Sequence, residues 1–471
     1  MSEGVETHVR ETDAFTMTME RDPLLRSTIV AVALFDRSPD WRVLVDRVDR
    51  ATRLTPTFRE KLLPAPFGLA PPRWVVDADF DLSWHLRRIE APQPKTLDTV
   101  LAIARTIGMT AFDPARPLWE FTLVEGLEDD RAALVMKVHH ALTDGIGGIQ
   151  LAAHVVDLTR EPADLGPLPD APEPRAHGPL ESLREAIAFD LDRWSHVARH
   201  QAATLPRTLV RVARDPIRSV SEVVATAGSI ARFVRPITDT RSPVMTGRRL
   251  QWHYDALDVP TAALKQAGKA VDGTLNDAFI GGITGGLRRY HHRHGAEVDT
   301  LRVTMPISIR SDDDPEGGNR VTLVRFEVPV GIEDPVERMR EIDRRCGELR
   351  RDRALPYSNL IAGVLNLLPA GVTGGMLRHV DFLASNVPGF GDDVFVGGAL
   401  VEAFYPFGPT IGAAANITLM SYRDTCNIGV NTDAGAVPDP DTFVDCLVEG
   451  FDEVLALAGG HAAARVTRRR R

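Results

Sequence analysis

Cysteine is scarce in this chain. Cys346, Cys426 and Cys446 are the only three among 471 residues, and no pair has a C-x-x-C spacing. A disulfide framework and a thiolate zinc site are therefore not expected, and no metal site is predicted. No apolar run reaches the roughly 18 residues of a membrane-spanning helix. The segment from Met1 to Glu11 is polar and acidic and lacks the basic-then-apolar pattern of a secretory leader. Neither G-x-S-x-G nor G-x-x-x-x-G-K-[ST] occurs, which removes the common serine hydrolases and the P-loop enzymes. Positive charge is not in excess: the net charge is −10, which argues against nucleic acid as the main partner. Lysine is confined to Lys61, Lys95, Lys137, Lys265 and Lys269, an arginine bias that fits GC-rich, bacterial coding and carries no chemistry.

The most informative segment is His139-His140-Ala141-Leu142-Thr143-Asp144-Gly145, or H-H-x-x-x-D-G. It follows Ala132 to Val138, an apolar run with the character of a buried strand. Imidazole titrates nearest to working pH, so a His at a strand end is a natural general base. Successive strand residues point to opposite faces, so one of the two histidines serves a given site. Asp144 and Gly145 suit a sharp turn, and Ile146, Ile149, Ala153 and Val156 continue at helical spacing. Paired histidines in a loop are also common without function.

At this length one core is not enough, and two lobes are expected. The stretch from Glu161 to Pro179 holds six prolines, at 162, 167, 169, 172, 174 and 179, and is predicted to be an extended surface linker outside the packed elements. Before it, strand-like runs (Ile29–Leu34, Phe121–Val124) alternate with helical ones (Trp41–Leu54, Leu97–Met109). After it, Glu181 to Pro236 reads as helical and arginine-rich. Mixed elements return from Arg248, with strands at Leu301–Ile307, Val321–Val330 and Ala414–Ser421 and helices at Thr274–His291 and Pro335–Arg353. The division expected is an N-terminal lobe 1–160, a linker with a helical insert 161–247, a C-terminal lobe 248–460 and a basic tail 461–471.

Other motifs have plain structural readings. Gly281-Gly282-Ile283-Thr284-Gly285-Gly286 lies inside a helical pattern, so close helix packing is expected, not a phosphate loop. Asn276 has the chemistry of a helix N-cap and Asp277 suits the helix dipole. Trp119 fits a core or interface position as well as substrate contact. Asn386-Val387-Pro388-Gly389 suits a tight turn. His291, His292 and His294 are read as solvated charges at a helix end.

Taken together, four blocks in order resemble the bacterial wax ester synthase/acyl-CoA:diacylglycerol acyltransferases, within the superfamily of CoA-dependent acyltransferases and condensation domains. They are Pro117-Leu118-Trp119-Glu120, the H-H-x-x-x-D-G segment, Thr274-Leu275-Asn276-Asp277 heading a helix, and Ser385-Asn386-Val387-Pro388-Gly389. Phe80 to Leu86 and Asp13-Ala14-Phe15 fit as well, whereas Leu24-Leu25-Arg26 replaces the family's usual Met-His.

The resemblance implies an α/β (α+β) fold of two chloramphenicol-acetyltransferase-like lobes with mixed sheets and an active-site channel between them. It implies O-acylation of diacylglycerol or a long-chain alcohol by acyl-CoA, with His140 as general base, no acyl-enzyme and no cofactor. His139 is then structural. Asp144 is expected to pair with Arg310 of the second lobe, and Gly145 to supply a positive φ or a close backbone approach. Asn276 and a backbone amide near Gly145 are candidate oxyanion donors. Ser385, Asn386, Pro388 and Gly389 line the channel turn.

The expected location is cytoplasmic and peripheral at the inner membrane or lipid droplets. The arginine-rich insert, the tail Arg465–Arg471 and the apolar segment Leu360–Val372 are the candidate membrane contacts. A condensation-type transferase using a carrier-protein thioester and a non-catalytic lipid-binding relative stand as alternatives.

Overall fold

The computed structural model describes residues 9, 11–66, 71–142, 152–175, 184, 239–308, 321–350, 378–459 and 466–469. The first elements are α1 (Glu11–Met19), β1 (Thr28–Phe35) and α2 (Trp41–Leu54), followed by the antiparallel pair β2 (Glu60–Leu63) and β3 (Arg73–Val76). Then come α3 (Leu82–His85), β4 (Leu86–Glu90), α4 (Leu97–Met109), β5 (Trp119–Glu125) and β6 (Ala132–His139). Helix α2 starts where Asp40 accepts the Arg42 and Val43 N–H groups, and buries Leu44, Val48 and Ala51 at helical spacing. Helix α4 does the same with Leu97, Val100, Leu101 and Ala104.

The second set is β7 (Trp252–Pro260), α5 (Thr261–Lys269), α6 (Leu275–Arg293), β8 (Thr300–Ser308), β9 (Val321–Pro329) and α7 (Pro335–Arg350). It continues with β10 (Phe382–Val387), β11 (Phe395–Val396), β12 (Ala399–Phe407), β13 (Ala415–Tyr422), β14 (Thr425–Asp433), α8 (Pro440–Leu455) and β15 (Thr467–Arg468).

Two mixed sheets organise these elements. One has the order β11-β12-β1-β6-β5-β4 and the other β15-β7-β14-β13-β10-β8-β9. The expected two-lobed α/β architecture is present, but its seam differs from the sequence division. Strands β11 and β12 lie within 248–460, yet β12 pairs antiparallel with β1 in the first sheet, Val30 opposite Phe407. Among the described residues the first lobe has no strand of its own to cover the outer edge of β1, and an unpaired edge leaves backbone donors and acceptors unmet. The lobes share apolar surface: Trp252, Tyr254 and Ala256 of β7 are buried with Val30, Val32 and α4, and Tyr254 stacks on Phe407 at 4.3 Å.

The glycine run of α6 is a packing surface, as its helical context predicted. A Cβ at Gly286 would stand 2.7 Å from Leu447 Cα of α8, closer than two carbons can approach. The described part of the proline-rich linker, 161–175, is extended and exposed, but α2 ties it down. Arg47 pairs with Asp157 at 2.7 Å and donates to Ala163 O, Arg50 reaches Gly166 O, and Arg53 reaches Pro169 O. Proline-rich backbone has no internal hydrogen bonds, so its carbonyls are open to a row of guanidinium donors. The insert Glu181–Pro236 (apart from Arg184) and Leu360–Val372 lie outside the described residues.

Candidate functional site

The His pair sits where β6 ends, between β1 and β5. Register places Thr28 opposite His139 and Trp119 opposite Val138. Along β6, Leu134 and Val138 pack with Trp119 and Phe121, while Ala133 and Val135 pack with Val30, Val32 and α4. His139 is buried, and Phe112 meets its ring edge-on at 5.9 Å. Its Nε2 lies 2.8 Å from Glu20 Oε1, and its Nδ1 accepts the Ala141 N–H at 3.0 Å. An Nδ1 that accepts leaves the ring proton on Nε2, which donates to the carboxylate. His139 is structural in this sense: it closes the turn that carries His140.

His140 follows as the first turn residue, half-buried, with its N–H on Ser27 O at 3.0 Å. Leu142 N–H closes on His139 O. Thr143, Asp144, Gly145 and Arg310 lie outside the described residues, and with them the expected inter-lobe pair.

The P-L-W block is the neighbouring strand start. Leu118 O accepts the His139 N–H, and Trp119 N–H returns to Pro117 O. Trp119 is fully buried, with Nε1 donating to Phe58 O at 2.8 Å and the ring stacked on His85 at 4.5 Å. It is a core residue beneath the site. His85 donates from Nδ1 to Trp119 O, and burial pushes its pKa down, so it is neutral. On the His139 face, Lys137 is fully buried over Phe112 and held by Glu120 at 3.2 Å. Burial lowers its pKa, against the pull of Glu120.

In the second lobe the helix cap is Thr274, not Asn276. Thr274 Oγ1 and Asp277 form a capping box, in which Asp277 Oδ2 accepts the Thr274 N–H at 2.8 Å. A cap must precede the first helical residue, and Asn276 is already the second residue of the helix. Asp277 is buried and Asn276 half-buried. Ser385, Asn386 and Val387 end β10, paired in parallel with Thr418, Leu419 and Met420 of β13. Asn386 and Pro388 are exposed. A side chain at Gly389 would strike Ser421 O, so the turn requires glycine there.

This turn and the His turn pack on one shared apolar cluster. Leu142 packs against the same apolar cluster as Val387 and Phe390, with Trp119, Met420 and Tyr422 at its centre. The described residues thus set the His pair beside P-L-W, place S-N-V-P-G on the same apolar cluster, and hold Asn276 and Asp277 in a helix cap. Sequence reasoning missed Glu20, Ser27, His85, Phe112 and Lys137. Glu20 lies 119 positions from His139, and no local pattern signals such a pairing.

Two other expectations are corrected. His291 is not solvated: it is fully buried, donates from Nδ1 to Leu287 O and accepts from Ser242 Oγ at 2.7 Å. Burial lowers its pKa. The two described tail arginines, Arg468 and Arg469, are not free either. Arg468 Nε donates to Asp255 at 2.8 Å and its guanidinium spans Asp441 and Asp445, while Arg469 pairs with Asp258 at 2.5 Å. Strand β15 pairs with β7, and that edge is lined by acids. His253, Asp255 and Asp441 converge within 4.8 Å, where Arg468 already supplies the positive charge. Among the described residues no helix is long and apolar enough to cross a membrane.

Comparison with known proteins adds a family context. Residues 10–279 match the wax ester synthase/diacylglycerol acyltransferase catalytic domain, and residues 317–454 match the C-terminal domain of the same family. A putative diacylglycerol O-acyltransferase of Mycobacterium tuberculosis H37Rv is 37% identical over 454 residues, covering 94% of this chain and 90% of that protein. A probable diacylglycerol O-acyltransferase of the same strain is 28% identical over 479 residues, 98% of each. The wax ester synthase/diacylglycerol acyltransferase of Marinobacter aquaeolei VT8 shares the fold at TM-score 0.65 and 21% identity, over 96% of this chain and 99% of that one. The first condensation domain of the calcium-dependent antibiotic synthetase does so at 0.61 and 16%, over 99% and 100%.

Proposed function

The chain belongs to the wax ester synthase/diacylglycerol acyltransferase family and is an acyltransferase, and from that premise we propose that it transfers a long-chain acyl group from acyl-CoA to the hydroxyl of diacylglycerol or a long-chain alcohol. The observation that carries the reading is the seam itself. The turn bearing His140 closes a central strand of one lobe, and its Leu142 packs on the same apolar cluster as Val387 of the S-N-V-P-G turn of the other.

His140 acts as the general base. Its imidazole takes the hydroxyl proton as the oxygen attacks the thioester carbonyl. The tetrahedral oxyanion collapses, the carbon–sulfur bond breaks, and the departing CoA thiolate is protonated by the imidazolium. A thioester is already activated and thiolate leaves readily, so neither an acyl-enzyme nor a cofactor is required. Asp144 and Arg310 hold the loop across the lobes. The substrates are collected at the inner membrane or a droplet surface, with Glu181–Pro236 and Leu360–Val372 as the contacting segments. Arg468 and Arg469 take no part, because they are neutralised within the fold.

The test offers the purified protein palmitoyl-CoA with diacylglycerol, with hexadecanol, or with no acceptor, and follows free thiol. Acceptor-dependent release is expected. Release that ignores the acceptor indicates a thioesterase, and none at all favours a carrier-protein thioester. His140→Ala should cost roughly 10²–10⁴-fold in rate with an unchanged melting temperature. An active H140A refutes the base assignment.

A further inference from the structure

We propose that Glu20 is the positioning carboxylate of the His turn, setting the geometry of His140 through His139 and Ser27; this rests on His140 being the base. Glu20 Oε1 accepts two hydrogen bonds, from the Ser27 N–H at 2.6 Å and from His139 Nε2 at 2.8 Å. Each partner continues toward His140 from a different side. His139 Nδ1 takes the N–H of Ala141, the residue just after His140, and Ser27 O takes the N–H of His140 itself. The four bonds form a closed ring around one turn residue, with Glu20 as its only side chain from outside the two strands.

The ring is shielded and anchored. The His139 side chain is 3% exposed and that of Glu20 22%. Phe112 covers the imidazole edge-on, and Leu118 O holds the His139 backbone. Two residues beyond Glu20, Asp22 pairs with Arg378 of the second lobe, and Leu25 is buried against Gly412. A carboxylate in this setting fixes one tautomer of His139, with the proton on Nε2, and that tautomer alone lets Nδ1 hold the Ala141 amide. Glu20 touches no reacting atom.

Loss of the bracket shifts the base without removing it. A displacement near 1 Å costs about 10²-fold in rate, so Glu20→Ala should lower kcat by roughly 10–100-fold. KM should stay within about twofold, because ground-state binding is untouched. Glu20→Gln should recover most of the rate, since an amide oxygen can accept both hydrogen bonds. Glu20→Asp, one methylene short, should not. Combining E20A with H139A should cost less than the two single losses together, the remainder beyond H139A being the Ser27 branch. Nitrogen-15 NMR of histidine-labelled protein reads the same ring independently of turnover: the Nε2–H tautomer of His139 should be retained in E20Q and lost in E20A.

If E20A does not fold, folded E20Q and E20D decide by rate and tautomer. An E20A enzyme with wild-type kcat, or a His139 tautomer indifferent to Glu20, overturns the proposal, as does a rate loss that merely follows the folded fraction with E20Q no better than E20A. An active H140A combined with the expected tautomer change would refute the base assignment while leaving the ring intact.

Discussion

Arg468→Met converts the corrected reading of the tail into a measurement. The Arg468 side chain is 10% exposed and that of Asp255 only 7%, so the pair is largely removed from water. Breaking a buried pair by deleting one partner costs about 3–5 kcal/mol, because the other charge stays buried without compensation. The links to Asp441 and Asp445, which are 70% and 57% exposed, add close to nothing. Solvent also reaches the guanidinium from that side, so the lower end applies, about 3 kcal/mol. For a lobe of ordinary domain size this lowers Tm by roughly 5–10 °C.

The pH dependence has a definite sign. Burial raises the Asp255 pKa, but the Arg468 guanidinium that donates to it and the His253 imidazole nearby bring it below its usual range. Its contribution is therefore present above the unfolded value of about 3.9 and is lost as pH falls through the lower folded value. In R468M burial prevails, the folded pKa rises, and the penalty grows as pH climbs. The Tm gap between wild type and R468M should be wide at neutral pH and narrow toward pH ~4. Differential scanning calorimetry across that range is the assay. A gap below about one degree at neutral pH, or one that widens on acidification, refutes the reasoning. Binding to anionic vesicles should be the same for both proteins.

Gly286→Val should destabilise by about 1–3 kcal/mol, because the new side chain meets the α8 backbone at Leu447; denaturant unfolding measures it, and an unchanged midpoint would mean that α6 and α8 are not in contact. His291, buried with a lowered pKa, makes the fold less stable as pH drops below its unfolded value near ~6.5, since only the unfolded chain readily takes the proton. His291→Asn should flatten that slope between pH 5 and 7 in thermal melts, on the scale of about 1 kcal/mol.

Features governed by neighbouring residues were legible in the sequence. The apolar spacing of Trp41–Leu54 and Leu97–Met109 fixes both helices to the residue, because a period of 3.6 leaves one face to bury. The run Ala132–Val138 marks the strand, and alternation assigns the two histidines to different environments before any partner is known. The glycines of α6 were legible as packing because no strand precedes them.

Tertiary structure decided what depends on distant partners. A carboxylate after α1 becomes the support of His139 only because β1 lies beside β6. Arg468 is a buried cation only because β15 joins the acidic edge of β7, and the His291 pKa is lowered only because the fold buries the imidazole. Strand β12 enters the first sheet because β1 needs a hydrogen-bonding neighbour, whichever part of the chain supplies it. Periodicity is written along the chain, whereas charge state and hydrogen-bond partnership are set by what surrounds each group, and those surroundings form only when residues far apart in sequence come into contact.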